Sequence, residues 1–212
     1  MPDRRRIVVA TRSPHKLREL RELLQLEAVD LLSLDDLGVA GEPTEDGLTF
    51  ETNALIKARF AVRATGLPAL ADDSGLEVAA LHGGPGVRTR RFAGADATDE
   101  DNNEKLLREL EDIPIEGRGA RYVCVLALGL PAPPGAAPSR RVEAVTRRGT
   151  CRGRIALEPR GSGGFGYDPI FEPSIEAPGG RTFGQYSAEE KHRISHRARA
   201  AARMRALLAA LG

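Results

Sequence analysis

The chain has 212 residues, with 31 basic and 30 acidic side chains and a formal net charge of +1. Hydrophobic residues make up 41% and charged residues 29%, which is typical of a globular protein of one domain with a substantial core. This balance excludes the strong positive field of a nucleic-acid-binding protein. No apolar run is long enough to cross a membrane, and the arginine-rich start leads into a strand pattern rather than a signal peptide. We therefore expect a cytoplasmic protein that binds neither nucleic acid nor a membrane.

Two residue types are scarce enough to be informative. The two cysteines, Cys124 and Cys151, lack the spacing of metal ligands and lie in or beside apolar strand patterns, which predicts buried thiols. Lysine is rare among the basic residues, so each one invites a functional explanation, because a compact ammonium binds a phosphate oxygen as a point charge. The lysines are Lys16, Lys57, Lys105 and Lys191.

The first strand pattern, residues 7–10, leads directly into a turn and a helix with a leucine face. Backbone amides at a helix N-terminus bind anions, so the turn with its lysine predicts a phosphate-binding loop. The alternative is a helix cap with no ligand, formed by a hydroxyl of the turn. The candidate loop residues are Thr11, Arg12, Ser13, Pro14, His15 and Lys16.

A second helix is predicted over about residues 48–63, directly after the acidic pair Glu45 and Asp46. Asn53 and Lys57 are four residues apart and therefore share one face of this helix. Acidic residues also suit the dipole of any helix N-terminus, which is the simpler explanation of the pair. That explanation leaves the isolated lysine unexplained.

The stretch from Leu70 to Gly75 predicts a buried strand that ends in Asp72 and Asp73, with Gly75 permitting a sharp turn. Two adjacent carboxylates can hold a hard cation, or one can hold the metal while the other handles a proton. The alternative is an ordinary exit from a strand into a turn, where Asp and Gly are common.

Further strands are predicted over residues 122–130, 141–146 and 149–157, with the Pro-rich stretch 131–140 as the mobile tip of a hairpin. The glycine-rich loop 161–169 offers Phe165 and Tyr167 as flat surfaces for a ligand and Asp168 as an acceptor, unless it is a flexible loop whose rings fill the core.

A single last helix is predicted to open with a capping box at Ser187 and to continue into the C-terminal tail. It carries Lys191, His196 and Arg197. From helical geometry alone, we expect His196 and Arg197 to lie on a solvated face.

These motifs together resemble one family, the ITPases, which are nucleoside triphosphate pyrophosphatases that clear inosine and xanthosine triphosphates. The resemblance is carried, in the family's order and over nearly the whole chain, by residues 10–16, 45–50 with Asn53 and Lys57, 71–75, 84–87, 163–169 and 195–197. It implies one α/β domain over residues 1–212, related to Maf proteins: an elongated, two-lobed fold with a long central mixed β-sheet flanked by helices and a substrate cleft between the lobes. It also implies a homodimer.

The resemblance further implies hydrolysis of ITP, dITP and XTP to the nucleoside monophosphate and pyrophosphate, a house-cleaning reaction of the nucleotide pool. Mg²⁺ would be held by Glu45 and Asp73 with Asp72 close by, Asp73 would be the general base, and Lys16 and Lys57 would neutralise the triphosphate. The implied substrate-binding residues are Thr11, Arg12, Ser13, Pro14, His15, Lys16, Asn53, Ser74, Phe165, Gly166, Tyr167, Asp168, Lys191, His196 and Arg197.

The candidate base-binding residues Lys191, His196 and Arg197 are hydrogen-bond donors, which suits the 6-oxo group of inosine and xanthine. Such a pocket leaves the amine of adenine unpaired, at a cost of roughly 1–3 kcal/mol for each buried group.

The chain departs from the family pattern at two places. Arg12-Ser13 stands where the family usually has Gly-Asn, and residues 89–92 stand for Ser-Ala-Arg-Tyr with loss of the phenol at Phe92. We expect altered affinity rather than loss of activity. The alternatives are a Maf-like nucleotide pyrophosphatase with another base preference and a nucleotide-binding module without catalysis.

Overall fold

A computed structural model of the chain describes residues 4–26, 29–133 and 142–210. Its strands are β1 (Arg5–Val9), β2 (Val29–Ser33), β3 (Ala69–Val78), β4 (Gly119–Leu130), β5 (Glu143–Ile155) and β6 (Phe171–Pro173). They hydrogen-bond in the order β2-β1-β3-β4-β5-β6. Because β1 is parallel to β2 and β3 while β5 is antiparallel to β6, the sheet is mixed. The predicted α/β fold with a central mixed sheet is confirmed.

The helices begin where the sequence supplies a hydroxyl cap. They are α1 (Pro14–Leu24), α2 (Phe50–Thr65), α3 (Asp99–Glu109), α4 (Ala188–Ile194) and α5 (His196–Ala209). Short 3₁₀ helices span Ala79–Leu81, Gly86–Arg91, Ile115–Gly117, Asp168–Ile170 and Phe183–Gln185. The capping side chains of the first four helices accept a backbone N–H three residues on. The capping box predicted at Ser187 is confirmed. Among the described residues, no helix combines the length and apolarity needed to cross a bilayer.

The chain divides into two compact units, of which the first comprises Met1–Asp73, Val125–Arg148 and Ala200–Gly212. Residues 7–9 of β1 and 125–128 of β4 are continuous buried apolar runs, as is typical of strands buried on both faces, and the helices bury one apolar face. Apolar side chains at or below 4% exposure in this unit include Ile7, Val8, Val9, Leu20, Leu24, Phe50, Ala54, Ala58, Val62, Leu70, Val125, Leu126, Met204 and Leu208.

The second unit comprises Ser74–Cys124 and Gly149–Arg199. Its core is richer in aromatic residues, with the ring centroids of Tyr122 and Phe171 4.6 Å apart and those of Phe171 and Phe183 5.2 Å apart. The buried members of this core are Leu76, Val78, Leu106, Leu110, Tyr122, Cys151, Ile155, Tyr167, Ile170, Phe171, Phe183 and Tyr186.

Three predictions about secondary structure are wrong, and the first concerns the adjacent aspartates. β3 does not end at Asp72-Asp73, since it continues through Gly75 to Val78. The apolar alternation persists beyond the aspartates, and Leu76 and Val78 are both fully buried. The carboxylates therefore lie within a strand instead of at its exit.

The other two wrong predictions concern strand and helix boundaries. Residues 141–146 and 149–157 were predicted as separate strands, but Glu143–Ile155 forms one strand. The predicted last helix is broken at Ser195, which has extended backbone (φ −66°, ψ 158°). Its hydroxyl accepts the N–H of Ala198 at 3.1 Å, so Ser195 both ends α4 and caps α5. The predicted hairpin tip falls mostly on residues 134–141, outside the described residues.

Candidate active site

In the first unit, one ammonium group joins two of the predicted carboxylates. Lys57 Nζ, on α2, lies 2.6 Å from Asp73 Oδ1 in β3 and 3.3 Å from Glu45 Oε2 in the segment before α2. The side chains of Lys57 and Asp73 are only 11% and 10% exposed. The structure therefore brings together three candidate residues that the sequence places 12 and 16 positions apart.

The neighbouring carboxylate has an ammonium partner of its own. Lys16 Nζ, in the first turn of α1, lies 2.8 Å from Asp72 Oδ1, whose side chain is completely buried. The two lysines singled out for this part of the chain thus each meet one of two adjacent aspartates. Partly buried pairs of this kind interact more strongly than exposed ion pairs, because water screens them less.

Burial and charge shift the titration of this cluster. Burial raises the pKa of Asp73 above its ordinary value, and the positive charges of Lys57 and Lys16 only partly offset that effect. Burial lowers the pKa of Lys57, but the negative charges of Asp73 and Glu45 outweigh it and leave the pKa raised. Lys57 therefore keeps its proton, and Asp73 is a stronger base than an exposed aspartate.

Within the candidate phosphate loop, the side chains make mostly local contacts. Ser13 Oγ accepts the N–H of Lys16 at 3.4 Å, and Thr11 Oγ1 accepts the N–H of Ser13 at 3.2 Å. Arg12 ties the loop to the segment 35–42 through an ion pair with Asp35 and bonds to the carbonyl oxygens of residues 39 and 41. Pro14 and His15 are exposed. Ser13 therefore caps α1, and a role of the loop in phosphate binding stays a prediction.

Asn53 organises the acidic segment before α2. Its side chain is buried, and its Oδ1 accepts the N–H of Gly47 at 2.9 Å. A Cβ at Gly47 would lie 2.5 Å from that oxygen, so only glycine fits. Gly47 lies within the motif of residues 45–50, directly after the two acids.

In the second unit, Asp168 is the centre of a buried polar cluster. Lys191 Nζ lies 2.6 Å from Asp168 Oδ2, which also accepts the N–H of Phe165 at 3.0 Å. The hydroxyl of Tyr122 donates to Asp168 Oδ1 at 3.3 Å. Asp168 and Lys191 are only 2% and 5% exposed, so the loss of either partner would leave a buried charge without its counterion.

Tyr122 was missed as a candidate because it lies inside a strand pattern. Its ring also stacks on His196, with centroids 4.5 Å apart and an interplanar angle of 9°. Burial is the main cause that raises the pKa of Tyr122 well above its ordinary value, so its hydroxyl stays protonated and can donate.

The aromatic ring of Phe165 lies under two cations. Lys191 Nζ is 4.8 Å and Arg197 Cζ is 5.6 Å from its centroid, both within the range of cation–π attraction. Arg197 Nη2 donates to Ser74 Oγ at 2.9 Å. The cluster therefore joins two cations, one hydroxyl and one ring, all from predicted site residues.

The two predicted rings of the glycine loop differ in environment. Phe165 is half-buried, whereas Tyr167 is buried in the core and donates its hydroxyl to the carbonyl oxygen of Thr89 at 2.8 Å. Of the two rings, Phe165 is the more exposed. The expectation of a solvated His196 and Arg197 is wrong, because these side chains are only 4% and 1% exposed. The break at Ser195 reorients them relative to the predicted continuous helix.

The donor chemistry of the first cluster suits a hard cation. Within residues 4–26, 29–133 and 142–210, no group of three or more His, Cys, Asp or Glu side chains is arranged around a metal position. Glu45 and Asp73 nevertheless converge on the ammonium of Lys57. Mg²⁺ is commonly bound through one or two carboxylates together with substrate phosphates, so these two oxygen donors fit it.

The protein is a mixed-sheet α/β protein with buried ammonium–carboxylate pairs and a donor-rich cluster beside an aromatic ring. These features are typical of a nucleotide-binding protein. The model of the Ham1 family matches residues 7–207, and the chain belongs to that family. A dITP/XTP pyrophosphatase from Geobacter sulfurreducens is 49% identical over 197 residues, which cover 93% of each chain. Another dITP/XTP pyrophosphatase, from Mycolicibacterium paratuberculosis, is also 49% identical, over 92% of this chain and 91% of the relative.

Solved structures agree with these relatives. A HAM1 protein from Coxiella burnetii is 40% identical with a TM-score of 0.82, covering 96% of this chain and 98% of that one. A nucleoside-triphosphatase / dITP/XTP pyrophosphatase from Mycobacterium abscessus is 45% identical with a TM-score of 0.73, over 94% and 98%. The resemblance drawn from the motifs is confirmed.

Proposed function

We propose that this protein hydrolyses ITP, dITP and XTP to the nucleoside monophosphate and pyrophosphate. The observation that carries the proposal is the convergence of Asp73 and Glu45 on the buried ammonium of Lys57. A protein that only binds nucleotides has little use for carboxylates beside a triphosphate. The names of the Geobacter and Mycobacterium relatives support the substrate class.

In the proposed reaction, water attacks the α-phosphorus, a new P–O bond forms, and the bond from that phosphorus to the bridging oxygen of pyrophosphate breaks. Asp73 takes the proton of the attacking water, a task suited to a carboxylate whose pKa is raised by burial. Lys16 and Lys57 neutralise the phosphate oxygens as charge moves onto the leaving pyrophosphate.

Glu45 and Asp73 are the residues proposed to hold Mg²⁺, and Asp72 is kept as a third candidate. Mg²⁺ would neutralise the triphosphate and polarise the α-phosphoryl group. Asn53 acts one step back, because its bond to Gly47 fixes the segment that carries Glu45.

Recognition of the base is assigned to the cluster in the second unit. Phe165 offers its partly exposed ring for stacking, and Lys191, His196 and Arg197 are donors for the 6-oxo group of hypoxanthine or xanthine. Asp168 holds Lys191 by an ion pair of 2.6 Å, and Ser74 holds Arg197. A donor set held in this way cannot satisfy the amine of adenine, which favours ITP and XTP over ATP.

The test is pyrophosphate release with Mg²⁺ from ITP, XTP, GTP and ATP, for the wild type and Asp73→Asn. We expect rapid release from ITP and XTP, little from ATP because its 6-amine stays unpaired, and a loss of roughly a hundredfold or more in the variant, the order expected for a general base. Asp112→Asn is the matched control, because Asp112 is an exposed aspartate outside both clusters. It should keep wild-type activity.

The same assay separates the alternatives. Faster release from pyrimidine triphosphates than from ITP would favour a Maf-like base preference. Binding of ITP without pyrophosphate release from any of the four would favour a non-catalytic nucleotide-binding protein. We also infer a cytoplasmic homodimer, and light scattering during gel filtration tests the dimer directly.

A further inference from the structure

Helix α3, which carries none of the proposed catalytic residues, holds the loop that contains Phe165. Asp99 Oδ2 accepts the N–H of Gly166 at 2.6 Å, and Asn103 Nδ2 donates to the carbonyl oxygen of the same glycine at 3.0 Å. Asp99 and Asn103 are one turn apart on α3 and so share a face of that helix. Both backbone hydrogen-bonding groups of Gly166 are therefore held by a single rigid element.

The glycines on either side of Phe165 add conformational freedom to this part of the loop. Gly164 and Gly166 both have positive φ values, +75° and +62°, which side-chain-bearing residues rarely adopt. A Cβ at Gly164 would collide with the carboxylate of Asp168. Because glycines add conformational freedom, a loop built from them needs external contacts to remain in one conformation.

The ring between these glycines is partly exposed, and it lies within cation–π distance of Lys191 and Arg197. The residue after Phe165, Gly166, is hydrogen-bonded to α3. The backbone N–H of Phe165 itself donates to Asp168 at 3.0 Å. Tyr167, the next residue, is fixed in the core through its bond to Thr89. A change at α3 therefore acts on the backbone next to the stacking ring.

The side chain of Asn103 gives independent support for a role in holding the loop. Its side chain is 7% exposed, and its Oδ1 is buried without a hydrogen-bond partner among the described residues. A buried amide oxygen without a partner destabilises the fold, so stability alone does not explain asparagine at this position. The bond that its amide nitrogen makes to Gly166 does explain it.

We propose that Asp99 and Asn103 are positioning residues of the base site: they hold the Gly166 peptide and thereby keep Phe165 oriented for stacking on the purine. This inference rests on the proposed function, since it assigns a structural basis to base affinity in that same site. Neither residue touches the substrate in this proposal.

The first experiment measures KM and kcat for ITP in Asp99→Ala and Asn103→Leu, with Glu100→Ala as control. Glu100 is an exposed acid in the same first turn of α3. Its replacement removes the same charge as Asp99→Ala but breaks no hydrogen bond to the loop. We expect KM to rise about fivefold in each variant, the change that corresponds to one hydrogen bond, with kcat nearly kept. Glu100→Ala should match the wild type.

Thermal unfolding separates positioning from stability. Asn103→Leu loses one hydrogen bond but also removes the buried oxygen without a partner, so its Tm should stay close to that of the wild type while KM rises. A variant that only lowers the folded fraction would lower the apparent kcat at constant KM. That result in both α3 variants would overturn the proposal.

A second readout does not depend on activity. The chain has no tryptophan, so Phe165→Trp introduces a single fluorescent reporter at the stacking position. Fluorescence anisotropy decay should show faster local motion of Trp when Asp99→Ala or Asn103→Leu is added, and no change with Glu100→Ala. Unchanged motion would overturn the proposal even if ITP is hydrolysed, whereas faster motion in a protein that hydrolyses no ITP would reject the proposed function alone.

Discussion

Replacement of Asp168 by Asn tests how the base cluster is held together. Lys191 is 5% exposed, and its Nζ lies 2.6 Å from Asp168 Oδ2. The N–H of Phe165 and the hydroxyl of Tyr122 donate to the same carboxylate. Asp168→Asn keeps the shape of the side chain and leaves a buried ammonium beside a neutral amide.

The expected magnitude follows from burial. Removing one partner of a buried ion pair costs about 3–5 kcal/mol, and we take the lower end because an amide oxygen can still accept from Phe165 or Tyr122. For a chain of this size, about 3 kcal/mol corresponds to a fall in Tm of roughly 6–12 °C. Lys191→Met should cost less, because the carboxylate of Asp168 keeps two other donors.

A double-mutant cycle provides the assay. Urea unfolding of the wild type, Asp168→Asn, Lys191→Met and the double variant gives the coupling energy between the two side chains. We expect the double variant to be more stable than Asp168→Asn alone, since it no longer buries an ammonium without its carboxylate. The exposed ion pair between Glu189 and Arg193 on the same helix is the control, and Glu189→Gln should change stability little.

If the losses of unfolding free energy in the two single variants sum to the loss in the double variant, the coupling energy is zero. Asp168 would then not hold Lys191 through charge. A stable Asp168→Asn protein with unchanged KM for ITP would refute both the magnitude and the assigned role of the pair.

Further predictions concern the first unit and the thiols. Gly47→Ala should lower kcat/KM by about tenfold or more, because its Cβ would lie 2.5 Å from Asn53 Oδ1 and displace the acidic segment next to the proposed base. Burial raises the pKa of Cys151 to about 11, and Cys124 is fully buried, so neither thiol should react with a disulfide reagent at pH 8 until the protein is unfolded. The pKa of Lys57 is raised above its ordinary 10.5 because neighbouring carboxylates outweigh burial, so its contribution to stability is complete below that pH and is lost as the pH rises through the folded value. The difference in unfolding free energy between wild type and Lys57→Met should therefore be constant from pH 7 to 9 and shrink above about pH 10.5.

Each of these has a simple contradicting result. Gly119→Ala is the control for the glycine substitution, since nothing lies within 4 Å of its added Cβ, and equal losses in the two variants would remove the role of Gly47. Rapid labelling of the native thiols would contradict their burial. A pH-independent difference for Lys57→Met would show that Lys57 titrates alike in the folded and unfolded chain.

Much of the fold could be predicted from the sequence because its signals are local. The caps at Ser13 and Ser187 bond to backbone three residues away. Apolar runs predicted the central strands, and the scarcity of lysine singled out Lys16 and Lys57 before any contact was known. The motif order predicted the family, which the matches to known chains confirm.

The sequence predictions failed at one local cap that a periodic pattern hides and at burial that distant groups decide. In a periodic sequence pattern, a serine at position 195 fits inside a continuous helix. In the structure, Ser195 ends α4, and its hydroxyl caps α5. The burial of His196 and Arg197 follows from that break and from partners such as Tyr122 and Ser74, which are far away in sequence. Periodicity assigns a residue to a face and carries no information about what covers that face.

The sequence by itself determined which chemical groups this protein possesses and where most of its helices begin, since both depend on residues a few positions apart; the start of α5 after Ser195 was the exception. The tertiary structure alone decided that Lys57 takes Asp73 while Lys16 takes Asp72, that Tyr122 donates to Asp168, and that Asn103 holds Gly166. The physical reason is the sequence separation of these partners, up to 63 residues in the last pair. Only the hydrogen-bonded sheet and the packing of the helices on it bring such groups within bonding distance.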